Sequence, residues 1–293
     1  MTNNISLGIM VYNEEKNIGR LLEAVCSQVF TFFLQEIIVV SSGCTDRTEK
    51  IVISFTKKDR RIKLLVQPKR EGKASAINLF LSHAHGEILI LESGDTLPDK
   101  NTLNELIAPF KNSEIGMTGA HPIPVNSKNT FIGFTVNLMW FLHHKIALTS
   151  PKLGELVAFR NFVKKIPNDT AVDESSIESI VRKKGYVLCY VPTALVYNKG
   201  PDNIKDFIKQ RRRIAAGHKH LFIGQDHDVS TNDPLKIIVT LLKYHSWSFK
   251  GTIWTLGAIF LELIGRLLGY YDYYLLNKNP YIWDISKSTK RLS

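Results

Sequence analysis

Acidic side chains stand where turns follow short apolar runs in this sequence. Glu14 follows Val11-Tyr12-Asn13, Asp46 closes Ser41-Ser42-Gly43-Cys44-Thr45-Asp46, and Asp95 follows Leu91-Glu92-Ser93-Gly94. Carboxylates can ligate hard cations such as Mg2+ and Mn2+. They also accept hydrogen bonds from ribose or base edges and take protons as general bases. Asp173-Glu174 is a further acidic pair, directly before the helical pattern Ser175 to Lys184. Cationic groups accompany them. Lys73 is a point charge suited to phosphate, and Arg211-Arg212-Arg213 is a compact basic run. Each has a plainer reading: Asp46 and Asp95 suit ordinary turns, and Asp173-Glu174 suits the dipole at a helix start. Lys73 suits a solvated surface, and the arginines a solvated or lipid-facing side of a helix.

The elements that must position these groups alternate. Ile5 to Val11, Glu36 to Val40, Ile62 to Gln67 and Glu87 to Leu91 are short apolar runs that predict buried strands. Between them lie helical patterns: Ile18, Leu21, Leu22 and Val25, then Thr48 to Phe55, then Ala74 to His85. The alternation predicts an α/β fold with a mainly parallel sheet and helices on both faces. Ligands of open sheets of this kind bind off the carboxyl ends of the strands. The turns at Tyr12 to Glu14, Ser41 to Asp46 and Ser93 to Asp95 therefore fall on one functional edge. Further on, Phe131 to Leu148, Ser175 to Lys184 and the basic stretch Ile204 to His220 predict helices, and Tyr186 to Val191 a strand.

Composition narrows the class. With 293 residues, 44% of them hydrophobic and 22% charged, the chain can bury a full globular core. A formal net charge of +11 favours anionic partners: nucleotides, nucleic acid or an acidic membrane. No aromatic-interleaved basic platform or reader motif is present, so no nucleic-acid partner is expected. Cys26, Cys44 and Cys189 are scattered and odd in number, which argues against a disulfide scaffold or zinc site and for a reducing compartment. The N-terminus carries no basic segment ahead of an apolar core, which predicts no export signal.

Taken in order, the motifs resemble those of the family 2 glycosyltransferases. Val11-Tyr12-Asn13-Glu14-Glu15 is similar to the family's first strand and turn, and Val39 to Thr48 to its nucleoside-holding D-D-G-S-T-D-x-T stretch. Arg70-Glu71-Gly72-Lys73 with Ala76 and Asn78 is similar to its G-K-x-x-A-x-N segment, and Leu91 to Pro98 to the strand end bearing the D-x-D metal motif. Gly154-Glu155-Leu156 through Arg160 resembles its acceptor loop, Asp173-Glu174 its E-D base pair, and Gln210-Arg211-Arg212-Arg213-Ile214 its Q-x-x-R-W motif. The resemblance extends from about Ile5 to about His220.

The resemblance implies the GT-A nucleotide-diphospho-sugar transferase fold, which is Rossmann-like, followed here by a hydrophobic helical segment. It implies inverting sugar transfer from a nucleotide-diphosphate donor, with a divalent cation, Mg2+ or Mn2+, on the pyrophosphate. Carried over position by position, it gives Tyr12, Asn13, Glu14, Ser42, Asp46 and Lys73 to the nucleotide and Asp95 to the metal. Glu174 aligns with the base, with Asp173 as its competitor, and Glu155, Gln210 and Arg213 go to the pyrophosphate or acceptor. Three departures stand out. Ser41-Ser42 replace paired aspartates, Ser93-Gly94-Asp95 keeps only the last carboxylate of D-x-D with Glu92 just before it, and the base pair reads D-E. With Asp46 kept, a UDP donor is expected and a GDP donor is the runner-up. The same departures motivate an alternative: a degenerate family member acting as a nucleotide-binding or scaffold protein.

Beyond Pro234 the pattern changes to long apolar stretches. Gly251 to Leu268 falls slightly short of the ~20 apolar residues a bilayer span needs. Glu262 and Arg266 interrupt it at i,i+4 spacing, where they can pair. Charges at mid-bilayer depth are costly, which predicts a helix lying in the interface. Trp247, Trp254, Tyr270, Tyr271, Tyr273 and Tyr274 bracket it with residues suited to headgroup depth. Leu235 to Leu242 is a second apolar stretch, with Lys236 and Lys243, and Arg211 to Arg213 is expected to add attraction to anionic lipid. The expected division is a catalytic domain over 1–225, a membrane-associating helical region over 234–276 and a polar tail over 277–293. The expected location is the cytoplasmic side of the cell membrane, with a lipid-linked or cell-surface glycan acceptor. The plainer alternative is a hydrophobic helix packed on the catalytic core or on a second subunit.

Overall fold

β-branched runs that bury both faces form the centre of the chain, as parallel strands do when helices cover them. A computed structural model describes residues 4–225, 234–244, 248–279, 281–282, 287–290 and 292. β1 (Asn4–Val11), β2 (Phe33–Ser42), β3 (Ile62–Gln67) and β4 (Ile88–Ser93) alternate with α1 (Ile18–Cys26), α2 (Thr48–Thr56) and α3 (Lys73–His83). These strands pair in parallel, in the order β3-β2-β1-β4. Ile5, Leu7 and Ile9 of β1 face one way and pack with Leu21, Leu22 and Val25 of α1. Met10 faces the other way, into a second core with Ile77 and Phe80 of α3. The period of two in β1 and the helical stripes of α1 and α3 thus meet on opposite faces of one sheet.

The sheet continues beyond the expected strands and is mixed. β5 (Leu97–Pro98), α4 (Thr102–Ile107), β6 (Ile115–Pro124) and α5 (Phe131–Ala147) come next, then β7 (Val157–Arg160), α6 (Asp173–Lys183) and β8 (Val187–Asn198). The full order is β3-β2-β1-β4-β7-β6-β8-β5. β7 runs antiparallel to both β4 and β6, and β5 antiparallel to β8, while β6 and β8 are parallel. The register pairs Leu91 with Val157, so β7 begins where β4 ends. This reversal brings Glu155, just before β7, to the same edge as Ser93 to Asp95.

Three long helices follow: α7 (Ile204–Gln225), α8 (Pro234–Tyr244) and α9 (Phe249–Tyr274). α9 packs along α7 through a stripe of Ala258, Leu261, Gly265, Gly269 and Asp272. Gly265 and Gly269 permit the close approach, since a Cβ on them would stand 2.5 Å from the Arg211 Cβ and from the Arg212 carbonyl oxygen. Charges follow the same seam. Arg211 binds Glu262 through Nε at 2.6 Å and a second nitrogen at 2.8 Å. Arg266 reaches the same carboxylate at 2.7 Å, and Arg212 pairs with Asp272. The expected pairing of Glu262 with Arg266 is present. The expected lipid-facing role of Arg211 to Arg213 is not: two of these arginines are used against α9, and Arg213 is buried toward Asp173 and Glu174. Bidentate guanidinium–carboxylate pairs explain this, because two carboxylates on an otherwise apolar helix need charged partners once they are partly buried. Trp247 lies outside the described residues.

Candidate active site

The carboxyl edge of β1, β2 and β4 is tied together by its own turns. Asn13, at φ 53°, donates its backbone N–H to Cys44 Sγ at 3.2 Å, and its Oδ1 accepts the Thr45 N–H at 2.8 Å. Asp46 accepts from the N–H of Glu15 at 3.1 Å and of Thr48 at 2.9 Å. Asp46 therefore ties the β1–α1 turn to the first residue of α2, which is the turn chemistry open to it from the sequence. Ser41 donates to Glu49 at 2.6 Å, and Ser42 is buried at the end of β2. The Tyr12 ring remains at the surface of this knot, with the Arg70 guanidinium 4.1 Å from its centroid.

β4 lies directly beside β1, so its terminal turn meets Glu14. Gly94 is required there: a Cβ would come within 2.7 Å of Val11 and 3.0 Å of the Glu14 side chain. Asp95 follows, half-buried, among Glu14, Glu92 and Glu155. Burial and then the Asp95 charge raise Glu14 to about 7, against the opposing pull of Lys290. Burial raises Glu92 to about 8, and Thr96 donates to its carboxylate. Glu92 thus faces inward, in the less favoured position for a metal ligand. Burial, then Asp95, raises Glu155 to about 7, with Asn198 at the end of β8 hydrogen-bonded to it.

The opposite wall comes from α6, α3 and α7. Asp173 and Glu174 form the first turn of α6, whose dipole favours negative charge. Lys73 opens α3 and donates to Glu174 at 2.7 Å. Burial opposes ionisation of Glu174, but Lys73 outweighs it and holds the carboxyl below its usual range. Asp173 is 2% exposed, and one of its carboxylate oxygens has no hydrogen-bond partner. Burial raises Asp173 to about 7 in spite of Lys73, with Glu174 adding to the rise. Arg213 of α7 completes the wall: burial lowers it to about 10, and the charges of Asp173, Glu174, Glu155 and Asp95 act against that fall. Gln210 is half-buried one turn earlier, and none of the described hydrogen bonds joins it to these carboxylates.

One cleft therefore gathers Glu14, Lys73, Asp95, Glu155, Asp173, Glu174 and Arg213. Among the described residues no three His, Cys, Asp or Glu side chains form a ready metal cage. The donor set still fits a divalent cation. Burial first and the Asp95 charge second raise Glu14 and Glu155. A cation beside Asp95 would offset that second contribution, and Mg2+-type sites need only one or two carboxylates when phosphates and water supply the rest. Two contributors escaped sequence reasoning. Asn198 ends a strand that extends seven residues past its apolar run, and Lys290 comes from the tail, where nothing local marks it.

The family model for glycosyl transferase family 2 matches residues 6–165, more than half of the chain. The chain belongs to this family of transferases. It is 27% identical over 240 residues to the probable glycosyltransferase YdaM of Bacillus subtilis (strain 168), covering 75% of this chain and 56% of that protein. It is 25% identical over 226 residues to the poly-beta-1,6-N-acetyl-D-glucosamine synthase of Staphylococcus epidermidis, covering 73% and 54%. The chain thus spans about half the length of these curated relatives. In fold it is similar to the mannosyltransferase PcManGT from Pyrobaculum calidifontis, solved with GDP-Man and Mn2+, at a TM-score of 0.62 and 19% identity, covering 94% and 86%. Glucosyl-3-phosphoglycerate synthase from Mycobacterium tuberculosis, solved with Mn2+, UDP and phosphoglyceric acid, gives 0.55 and 18%, covering 73% and 77%.

Proposed function

We propose that this transferase moves a sugar from a nucleoside diphosphate donor to an acceptor hydroxyl with inversion at the anomeric carbon. The reading rests on one observation: the cleft at the carboxyl edge pairs Asp95 and Glu155 with Asp173-Glu174 across Lys73 and Arg213. Tyr12, Asn13, Glu14 and Ser42 line the nucleoside side, with Asp46 holding their loops. Glu174 takes the acceptor proton. Its side chain is 20% exposed, whereas that of Asp173 is almost wholly buried, so Glu174 is the carboxylate an acceptor can meet. Lys73 and Arg213 offset charge on the departing diphosphate, and Glu155 and Gln210 face donor and acceptor. Asp95 would hold a divalent cation, which supplies Lewis-acid stabilisation of the diphosphate when bound.

UDP is the first donor and GDP the second in this reading, because Asp46 is kept while Ser41-Ser42 stand in place of paired aspartates. The test is a screen of UDP, GDP and ADP and their sugars, with and without Mn2+, reading thermal stabilisation and release of free nucleotide. Stabilisation by UDP or GDP with Mn2+-dependent turnover is expected. Nucleotide binding with no turnover on any sugar would favour the scaffold alternative, and preference for ADP would defeat both donor assignments.

We further propose that residues 1–225 form the catalytic unit and 234–276 a surface that lies on the cytoplasmic face of a membrane, near a lipid-linked or glycan acceptor. α9 is long and apolar enough to cross a membrane by length and composition. Its seam of ion pairs with α7 favours lying in the interface, because spanning would carry those charges to mid-bilayer depth. Leu235, Ile238, Val239 and Leu242 expose one apolar face of α8 at helical spacing, flanked by Lys236 and Lys243. α9 adds exposed Phe249, Ile253, Leu256 and Phe260. The protein should float with anionic vesicles, and Ile238→Ser with Val239→Ser and Leu242→Ser should release it. If the unaltered protein stays at the bottom of the gradient, a soluble acceptor takes the place of a membrane-linked one.

A further inference from the structure

After α9 the chain turns back toward the nucleotide side of the cleft. The Tyr281 carbonyl oxygen lies over Gly72, at 3.1 Å from where a Cβ would stand, with Ile282 beside it. Ser288 donates to Asp206 Oδ2 at 2.5 Å. Lys290 Nζ donates to the Tyr12 carbonyl oxygen at 3.2 Å and to the Glu14 carboxylate. Asn17 donates to the Lys290 carbonyl at 3.2 Å and accepts the Leu292 N–H at 3.3 Å, while Arg20 donates to the Leu292 carbonyl. The Leu292 side chain is buried at 5% exposure.

These contacts touch three sides of the cleft. Gly72 precedes α3, Asp206 lies in the first turn of α7, and Tyr12 to Asn17 join β1 to α1. The most telling contact is Lys290. Glu14 is 3% exposed, and a carboxylate so buried is costly unless a cation meets it. Ribose hydroxyls bound by Tyr12 and Glu14 would need the same acceptor atoms that the ammonium already uses. A charge-assisted hydrogen bond is strong enough to make that competition measurable.

We propose that the tail bearing Tyr281, Ser288, Lys290 and Leu292 is a built-in competitor for the donor nucleotide, with Lys290 seated on the ribose acceptors until the donor displaces it. The proposal rests on the nucleoside role given above to Tyr12 and Glu14. The tail lowers apparent donor affinity by the fraction of molecules in which the pocket is closed. Segments released on binding in this way make donor concentration a control on the open state.

The test uses the full chain and calorimetric titration with UDP and GDP. One variant, Lys290→Gln, removes the ammonium. A second, Ser288→Ala with Leu292→Ala, loosens the anchors and leaves Glu14 with its cation. Both are expected to bind the preferred nucleotide about three- to tenfold more tightly, the range given by a closed form that predominates modestly. Saturating nucleotide should also speed tryptic cleavage after Lys290, read by intact mass. Unchanged or weaker binding by the anchor variant overturns the competitor. If neither the natural chain nor either variant binds any nucleoside diphosphate, it is the assignment of the nucleotide pocket that fails.

Discussion

Glu174→Gln lowers turnover by about two orders of magnitude or more, the scale of losing a positioned general base. Donor binding should change little, because Lys73 and Arg213 keep their places. The amide cannot accept the acceptor's proton, yet it preserves the shape and the hydrogen bond to Lys73. The pH profile is a second reading of the same pair. Asp173, raised to about 7 by burial first, is largely protonated in mildly acidic solution. Its ionisation places a like charge beside Glu174 and raises that group's proton affinity. Turnover should therefore rise with pH through about 7 and level off above it. Asp173→Asn should flatten this rise with a smaller loss at the plateau. If Asp173→Asn is the crippling change and Glu174→Gln the mild one, the base is Asp173.

Asp95→Ala should abolish metal-dependent transfer while leaving thermal stability close to that of the natural chain. The residue is half-buried in a turn, so little packing is lost with its carboxylate. The variant also removes a charge that raises Glu14, Glu92 and Glu155, so those groups ionise more readily in it. Chelation by EDTA should reproduce the loss in the unaltered protein, and Mn2+ should restore it there but not in Asp95→Ala. Full turnover in EDTA would remove the cation from the mechanism. Asp95→Asn separates charge from shape: a residual rate in the amide variant at high Mn2+ concentration fits a weakened ligand, whereas a rate indifferent to metal does not.

The parallel half of the sheet was legible because its signals are local. Ile5 to Val11 and Glu36 to Val40 are buried on both faces, and turn residues follow the carboxyl end of each, so strand, turn and functional edge follow from the run itself. The acidic positions at those turns were legible for the same reason. β7 was not. Four residues are too short a run to announce a strand, and their place between β4 and β6 depends on partners about 40 to 70 residues away in sequence, as the register Met117 with Phe159 and Leu91 with Val157 shows. Glu155 was named from a motif, but its meeting with Asp95 exists only because β7 runs antiparallel to β4.

Charge shows the same division. From the sequence Arg211, Arg212 and Arg213 are equivalent members of one basic run. Helical geometry sends successive residues about 100° apart, so the three must face different surroundings. Packing against α9 gives Arg211 to Glu262 and Arg212 to Asp272, and turns Arg213 toward the carboxylates. The sequence alone determined which residue types are present and which local turns display them. Only the tertiary structure decided which charges neutralise one another, because a pairing such as Lys290 with Glu14 is set by where the folded chain returns and not by any spacing along it.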